Sequence, residues 1–204
     1  MQELLLNEQQ KDALQEVANI GAGHASTVLS QMINRSIKMG IPKIEIIPLE
    51  KTRDYVKDEK VVVGIFLKIS EEIPCYVLLL IPRESAFSLA NLLLGCPSEE
   101  TSSLLSEMDK SALHEVSNVM ICAFFDSLSE LTGLSIVPGP PHLAYDIPDA
   151  VMDYVLIQIG AMANQIVMFN VELSEEQKTG LKIHMFLLPL PNSVDILLEK
   201  LGIK

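Results

Sequence analysis

Hydrophobic positions recur at helical spacing along two long stretches of this chain. Residues 8–34 place apolar side chains three and four positions apart and contain no proline, which predicts one long amphipathic helix. Residues 108–132 repeat the pattern and stop before Gly133, a residue typical of the end of a helix. Two short helices are predicted at 83–94 and 192–201, with Asn192 as a candidate N-cap.

Runs dense in Val, Ile and Leu separate these helices and predict the strands of a sheet. In the first half of the chain they cover residues 43–49, 60–69 and 74–81. In the second half they cover residues 142–146, 152–159, 164–173 and 180–188. Strands as apolar as these need cover on both faces or pairing into one continuous sheet.

The chain repeats itself with an offset of 99 residues, since Glu-Val-Ala-Asn at 16–19 is matched by Glu-Val-Ser-Asn at 115–118. In both copies a small polar residue stands four positions before the Glu, and a Pro follows the Asn after 23 residues. The matched positions are Asp12, Glu16, Asn19 and Pro42 in the first copy and Ser111, Glu115, Asn118 and Pro141 in the second. Several matches in the same order predict two copies of one unit.

This duplication defines the expected architecture. We expect an α/β chain of the α+β kind, a pseudo-two-fold duplicated unit with two long and two short helices on a continuous, mainly antiparallel sheet. Residues 1–204 are predicted to form a single domain made of two repeats, about 8–95 and 108–202, with residues 96–107 as the joint.

Composition narrows the class of protein. The 204 residues are 49% hydrophobic and 21% charged, which is a globular composition. The net charge of −12 argues against nucleic acid or an anionic membrane as the main partner, because both require clustered Lys and Arg. Three widely spaced cysteines predict neither a disulfide framework nor a metal site. No signal peptide or membrane span is predicted, so we expect a cytoplasmic protein.

The repeated Glu and Asn are the candidate chemistry. Glu16 and Asn19 are three residues apart on a helix and therefore share a face, as do Glu115 and Asn118. An asparagine in the middle of a helix, at the same place twice, favours a functional role over a merely solvated surface.

The remaining repeated positions are less specific. Asp12 and Ser111 are either accessory to this polar patch or ordinary surface residues. Pro42 and Pro141 are interpreted as structural, at the start of a strand. The small residues around Gly21 are interpreted as allowing close approach of the two long helices or of a partner.

The doubled pattern [Asp/Ser]-x3-Glu-x2-Asn-x22-Pro resembles the CheC/CheX/FliY family of chemotaxis phosphatases. Residues 19–27, Asn-Ile-Gly-Ala-Gly-His-Ala-Ser-Thr, are very similar to the first motif of that family, whereas the second copy reads Val-Met-Ile-Cys at 119–122. Two complete Glu/Asn pairs resemble the CheC type within the family.

The resemblance implies a phosphatase that hydrolyses the phosphoaspartate of a CheY-like response regulator. It implies that Asn19 and Asn118 orient the attacking water and that Glu16 and Glu115 dock against a lysine of the regulator. It further implies no cofactor in this chain, since the regulator supplies magnesium, and CheD as a second partner. The alternative is an interaction module that binds the regulator and CheD without accelerating hydrolysis.

Overall fold

The computed structural model describes residues 6–48, 51, 54, 60–95, 104–160, 165–175, 181–190 and 192–203. These residues form five helices: α1 (Glu8–Ile33), α2 (Arg83–Leu94), α3 (Glu107–Thr132), α4 (Pro148–Gly160) and α5 (Ser193–Lys200). They also form eight strands: β1 (Ile37–Met39), β2 (Lys43–Pro48), β3 (Val62–Glu71), β4 (Cys75–Pro82), β5 (Ile136–Pro138), β6 (His142–Asp146), β7 (Gln165–Glu175) and β8 (Lys182–Pro189).

Matched capping boxes start the two long helices. The Asn7 side chain accepts a hydrogen bond from the Gln10 backbone at 2.8 Å, and the Gln10 side chain accepts one from the Asn7 backbone at 3.0 Å. Ser106 and Asp109 form the same reciprocal box at the start of α3. Each helix is 26 residues long and ends at a residue in the left-handed conformation. The caps satisfy backbone donors that would otherwise lack partners, so both helices begin at equivalent positions.

The strands form one antiparallel sheet in the order β1-β7-β8-β4-β3-β5, with β2 also pairing with β7 and β6 with β3. At the centre, β4 and β8 are paired antiparallel, with Leu78 opposite Phe186. The outer strands cross between repeats, because β1 and β2 pair with β7, and β5 and β6 pair with β3. Each repeat therefore completes the sheet of the other.

The main core lies between one face of the sheet and the helices α1, α2, α3 and α5. Alternate strand residues such as Ile65, Leu79 and Met185 are buried there, because successive side chains of a strand point to opposite faces of the sheet. The opposite face carries a smaller core to which α4 contributes Val151, Met152 and Val155, among other residues. The expected fold, two long and two short helices on a continuous antiparallel sheet, is confirmed.

One local prediction is wrong. Residues 152–159, predicted as a strand, belong to α4, which starts at Pro148 and packs on the backbone of Gly64. Proline has the backbone φ of a helix and needs no donor in the first turn, so it favours this start. Asn192 is the N-cap residue of α5, as predicted, but it stands in a left-handed conformation with φ of 75° and its side chain makes no cap hydrogen bond. Of the predicted joint at 96–107, residues 96–103 lie outside the described residues.

Candidate active site

The Glu and Asn pairs lie on the outer faces of α1 and α3. The carboxylates of Glu16 and Glu115 are exposed, and the carboxamides of Asn19 and Asn118 belong to half-buried residues. The residues between them, such as Val17, point into the core, which directs each pair away from the sheet. Within the described ranges neither glutamate forms an ion pair. Both pairs are therefore available to another molecule.

Close packing between α1 and α3 holds these faces in place. A Cβ atom added at Gly21 would lie 2.6–2.7 Å from three carbons of the Phe124 ring. Phe124 itself is 1% exposed, so the two helices are in direct contact at this point. This confirms the interpretation that a small residue at Gly21 allows the helices to approach. Gly23 differs, because no atom lies within 4 Å of its added Cβ.

Cys122 stands beside Asn118, one turn further along α3. Its Sγ lies 4.0 Å from the Asn118 Oδ1, at the outer limit of an S–H···O contact. Burial raises the pKa of the Cys122 thiol, and the neighbouring Asp126 and Glu115 raise it further, so the sulfur keeps its proton. The equivalent residue in the first repeat is Gly23, which offers no such contact. The two sites are therefore not identical.

A loop approaches helix α3 near its Glu/Asn pair. In the second repeat, the Pro141 carbonyl accepts a hydrogen bond from the His114 Nε2 at 3.0 Å. Gly139 donates its backbone N–H to the carbonyl of Lys68 at 2.9 Å, and a Cβ at Gly139 would lie 2.8 Å from that oxygen. The Gly-x-Pro loop, residues 139–141, therefore sits tightly between strand β3 and helix α3.

The same Gly-x-Pro loop exists in the first repeat as residues 40–42, where Gly40 donates to the Glu172 carbonyl at 2.8 Å. Pro42 and Pro141 each stand one residue before a strand, β2 and β6. Sequence reasoning identified the prolines but missed the glycine two residues before each of them. The signal was present, because Gly-x-Pro recurs with the offset of 99.

Asp12 and Ser111 are exposed and lie one turn before the glutamates. At the start of each helix an ion pair repeats, with Lys11 3.3 Å from Glu8 and Lys110 2.7 Å from Glu107. Both pairs lie at the surface, where they contribute little to stability. The accessory role of Asp12 and Ser111 stays a prediction.

Within the described part of the chain, no group of three or more His, Cys, Asp and Glu side chains is arranged to hold a metal ion. None of the helices in those ranges is long and apolar enough to cross a membrane.

Comparison with known proteins gives three matches that bear on these faces. The sequence model of the CheC-like family matches residues 10–46, the stretch that carries Glu16, Asn19 and Pro42. The CheY-P phosphatase CheC of Bacillus subtilis is 29% identical over 200 residues, which are 97% of this chain and 96% of that protein. The chain is similar to this CheC protein over almost its whole length. The flagellar motor switch phosphatase FliY of the same organism is 27% identical over 138 residues, 68% of this chain and 36% of that protein.

The fold of this chain is also found among solved structures. The crystal structure of Thermotoga maritima FliY superposes with a TM-score of 0.77 at 22% identity, covering 98% of each chain. At this level of identity the likeness concerns the fold. It agrees with the helices and antiparallel sheet described above.

Proposed function

We propose that this protein hydrolyses the phosphoaspartate of a phosphorylated CheY-like response regulator. The observation that carries the proposal is the repeated, outward-facing Glu/Asn pair on two helices with matched caps. The similarity to CheC and FliY of Bacillus subtilis, a CheY-P phosphatase and a flagellar motor switch phosphatase, supports the same reaction class.

The reaction requires positioning more than covalent help from the enzyme. Water attacks phosphorus, the bond between phosphorus and the aspartyl oxygen breaks, and the regulator's carboxylate leaves with inorganic phosphate as the other product. In-line alignment of the water is the main requirement. A carboxamide suits this task, because its oxygen accepts a hydrogen bond from water while its nitrogen donates one. We assign this role to Asn19 and Asn118.

The glutamates are assigned to docking. A carboxylate one turn before the Asn is in reach of a cationic side chain at the rim of the regulator's pocket, and we propose that Glu16 and Glu115 pair with its lysine. The chain carries a net charge of −12, so long-range attraction does not favour a negatively charged partner. A local ion pair of opposite charge then fixes the register of the helix on the regulator.

The remaining roles follow the same scheme. Asp12 and Ser111 are proposed as accessory residues on the same helix faces, and Pro42 and Pro141 as structural residues of the Gly-x-Pro loops. The magnesium ion of the reaction is proposed to belong to the regulator. CheD is proposed as a second partner on the family resemblance alone, without assigned residues, and a binding assay with purified CheD tests it.

Phosphate release tests the proposed activity. A cognate regulator is kept phosphorylated with a small-molecule donor, and release is compared among the wild type, Asn19→Ala, Asn118→Ala and the double variant. Loss of one positioned hydrogen-bonding group costs its site about 100–1000-fold. Each single variant is therefore expected to keep the activity of the other site, while the double variant falls by that factor.

Gln31→Ala is the matched control, because it removes an exposed amide from α1 twelve residues, or about three turns, after Asn19. It is expected to leave phosphate release unchanged. Equal rates for the wild type and the double variant, with regulator binding intact, would support the alternative of an interaction module. A single substitution that abolishes all activity would contradict two independent sites.

A further inference from the structure

The second Glu/Asn face has a Gly-x-Pro loop at its edge that the proposed chemistry does not use. In the second repeat this loop touches α3 at His114, whose Nε2 lies 3.0 Å from the Pro141 carbonyl. His114 is four residues before Asn118, so the two side chains are neighbours on the helix surface. The loop at 139–141 therefore forms the asparagine side of the second site.

The loop of the first repeat occupies the equivalent place. Gly40 and Gly139 both donate their backbone N–H to a carbonyl of the adjacent long strand, at 2.8 and 2.9 Å. The short strands before them, β1 and β5, pair with β7 and β3 in corresponding registers. By the equivalence of the two repeats, Ile41 at the tip of the first loop corresponds to a position at the edge of the site that contains Asn19.

Ile41 is 78% exposed, an unusual position for a large aliphatic side chain on an ordered loop between two strands. The second repeat has Pro140 at this place. In the second repeat Met108, on helix α3, is an exposed apolar residue with 65% of its surface accessible. Met108 lies two helical turns before Glu115 and on the same face. Its counterpart in the first repeat is the polar Gln9.

We propose that Ile41 and Met108 are apolar anchors for the response regulator, Ile41 at the first site and Met108 at the second. This inference rests on the proposed function, because it takes the regulator to dock against each Glu/Asn face. The acidic chain cannot draw in a phosphorylated pocket by its overall charge, so affinity must come from local contacts. An exposed apolar side chain on the docking face is suited to that role, since a few buried anchors dominate most interfaces.

The two anchors can be tested separately in two proteins that each keep one active site. In the Asn118→Ala protein only the first site turns over, and in the Asn19→Ala protein only the second. Ile41→Ser is expected to raise KM about five- to tenfold in the first protein, with kcat unchanged, and to have no effect in the second. Met108→Gln, which introduces the glutamine of the first repeat, is expected to raise KM in the Asn19→Ala protein and to have no effect in the Asn118→Ala protein. Both residues are exposed, so melting temperatures should not change.

A binding measurement on a protein without phosphatase activity tests the anchors independently of catalysis. Calorimetric titration of the Asn19→Ala/Asn118→Ala protein with beryllofluoride-activated regulator should reveal two sites, of which Ile41→Ser weakens one and Met108→Gln the other. The anchors are refuted if both substitutions leave KM and affinity unchanged, or if each acts equally at both sites. Failure of the proposed function is a different result, namely equal phosphate release by the wild type and the double Asn variant.

Discussion

Replacing Gly21 by alanine tests the helix contact that holds both sites in place. The added methyl would lie 2.6–2.7 Å from the Phe124 ring, whereas carbon atoms in contact prefer about 3.5–4.0 Å. Roughly 1 Å of movement is therefore needed, and Phe124 is 1% exposed and packed edge-on against Phe125 at 5.2 Å between centroids. Overpacking of this kind typically costs about 1–3 kcal/mol.

Helix propensity acts in the other direction. Alanine is favoured over glycine inside a helix by about 1 kcal/mol, so the expected net loss for Gly21→Ala is about 0–2 kcal/mol. Gly23→Ala is the matched control, because it lies two residues away on the same helix and its added Cβ meets nothing within 4 Å. It should be stabilised by about 1 kcal/mol. The difference between the variants, about 1–3 kcal/mol, isolates the packing contribution.

Urea unfolding of both variants and the wild type measures this difference. The midpoint should fall or stay for Gly21→Ala and rise for Gly23→Ala, with equal slopes, since a change in slope would indicate a change in the unfolded or native ensemble. Equal stabilisation of the two variants would refute direct contact between α1 and α3 at Gly21.

Two further predictions concern the cysteines and the exchanged strands. In a Cys96→Ser protein, a thiol reagent should modify Cys122 but not Cys75, which is buried and whose pKa is raised by burial. The Cys122 rate should keep rising with pH beyond about 8.5, the ordinary thiol pKa, because burial, Asp126 and Glu115 raise its pKa and keep the thiolate scarce; a plateau below pH 8 would contradict this. An isolated second repeat, residues 104–204, should not form a folded monomer, because β5 and β6 lose β3, and β7 loses β1 and β2. Circular dichroism with sedimentation tests this, and a folded monomeric half would be the contrary result.

Periodicity was sufficient for the long helices and most strands. Leu14, Val17, Ala18, Gly21 and Ala25 recur at helical spacing, and all of them are buried on α1. The strand pattern also held for β3, β4 and β8, whose residues are buried in runs. These elements are set by local side-chain pattern, which the sequence displays directly.

Helix α4 shows where a local pattern is ambiguous. A short apolar run suits a buried strand or a buried helix, and only its flanking residues decide. Pro148 marks the start of the helix and is the signal that the strand prediction overlooked. Just before it, the Ile147 backbone N–H donates a hydrogen bond to Asp146 Oδ1 at 2.7 Å. Helical spacing then buries Val151, Met152 and Val155 together.

The exchange of strands between repeats, and the contact of His114 with the Pro141 carbonyl, have no local signature. They depend on pairings between residues that are distant in the chain, such as Ile37 with Glu175. The duplication identified Glu16 and Asn19 as candidates, but it did not reveal which loops stand beside them. The positions of the Gly-x-Pro loops depend on β3 and β7, whose carbonyl groups accept the hydrogen bonds of Gly139 and Gly40.

Divergence in the helix contact favours pairing between unlike repeats. Gly21 of the first repeat faces Phe124 of the second, and Phe124 is the counterpart of Ala25 in the repeat alignment. By the two-fold relation, pairing two first repeats would set Gly21 against Ala25 and leave a void, at about 24 cal/mol for each Å³ of cavity. Pairing two second repeats would set Met120, the counterpart of Gly21, against Phe124 and overfill the same place. Small and large residues are complementary only between unlike repeats, so the core favours the arrangement that holds one copy of each Glu/Asn face.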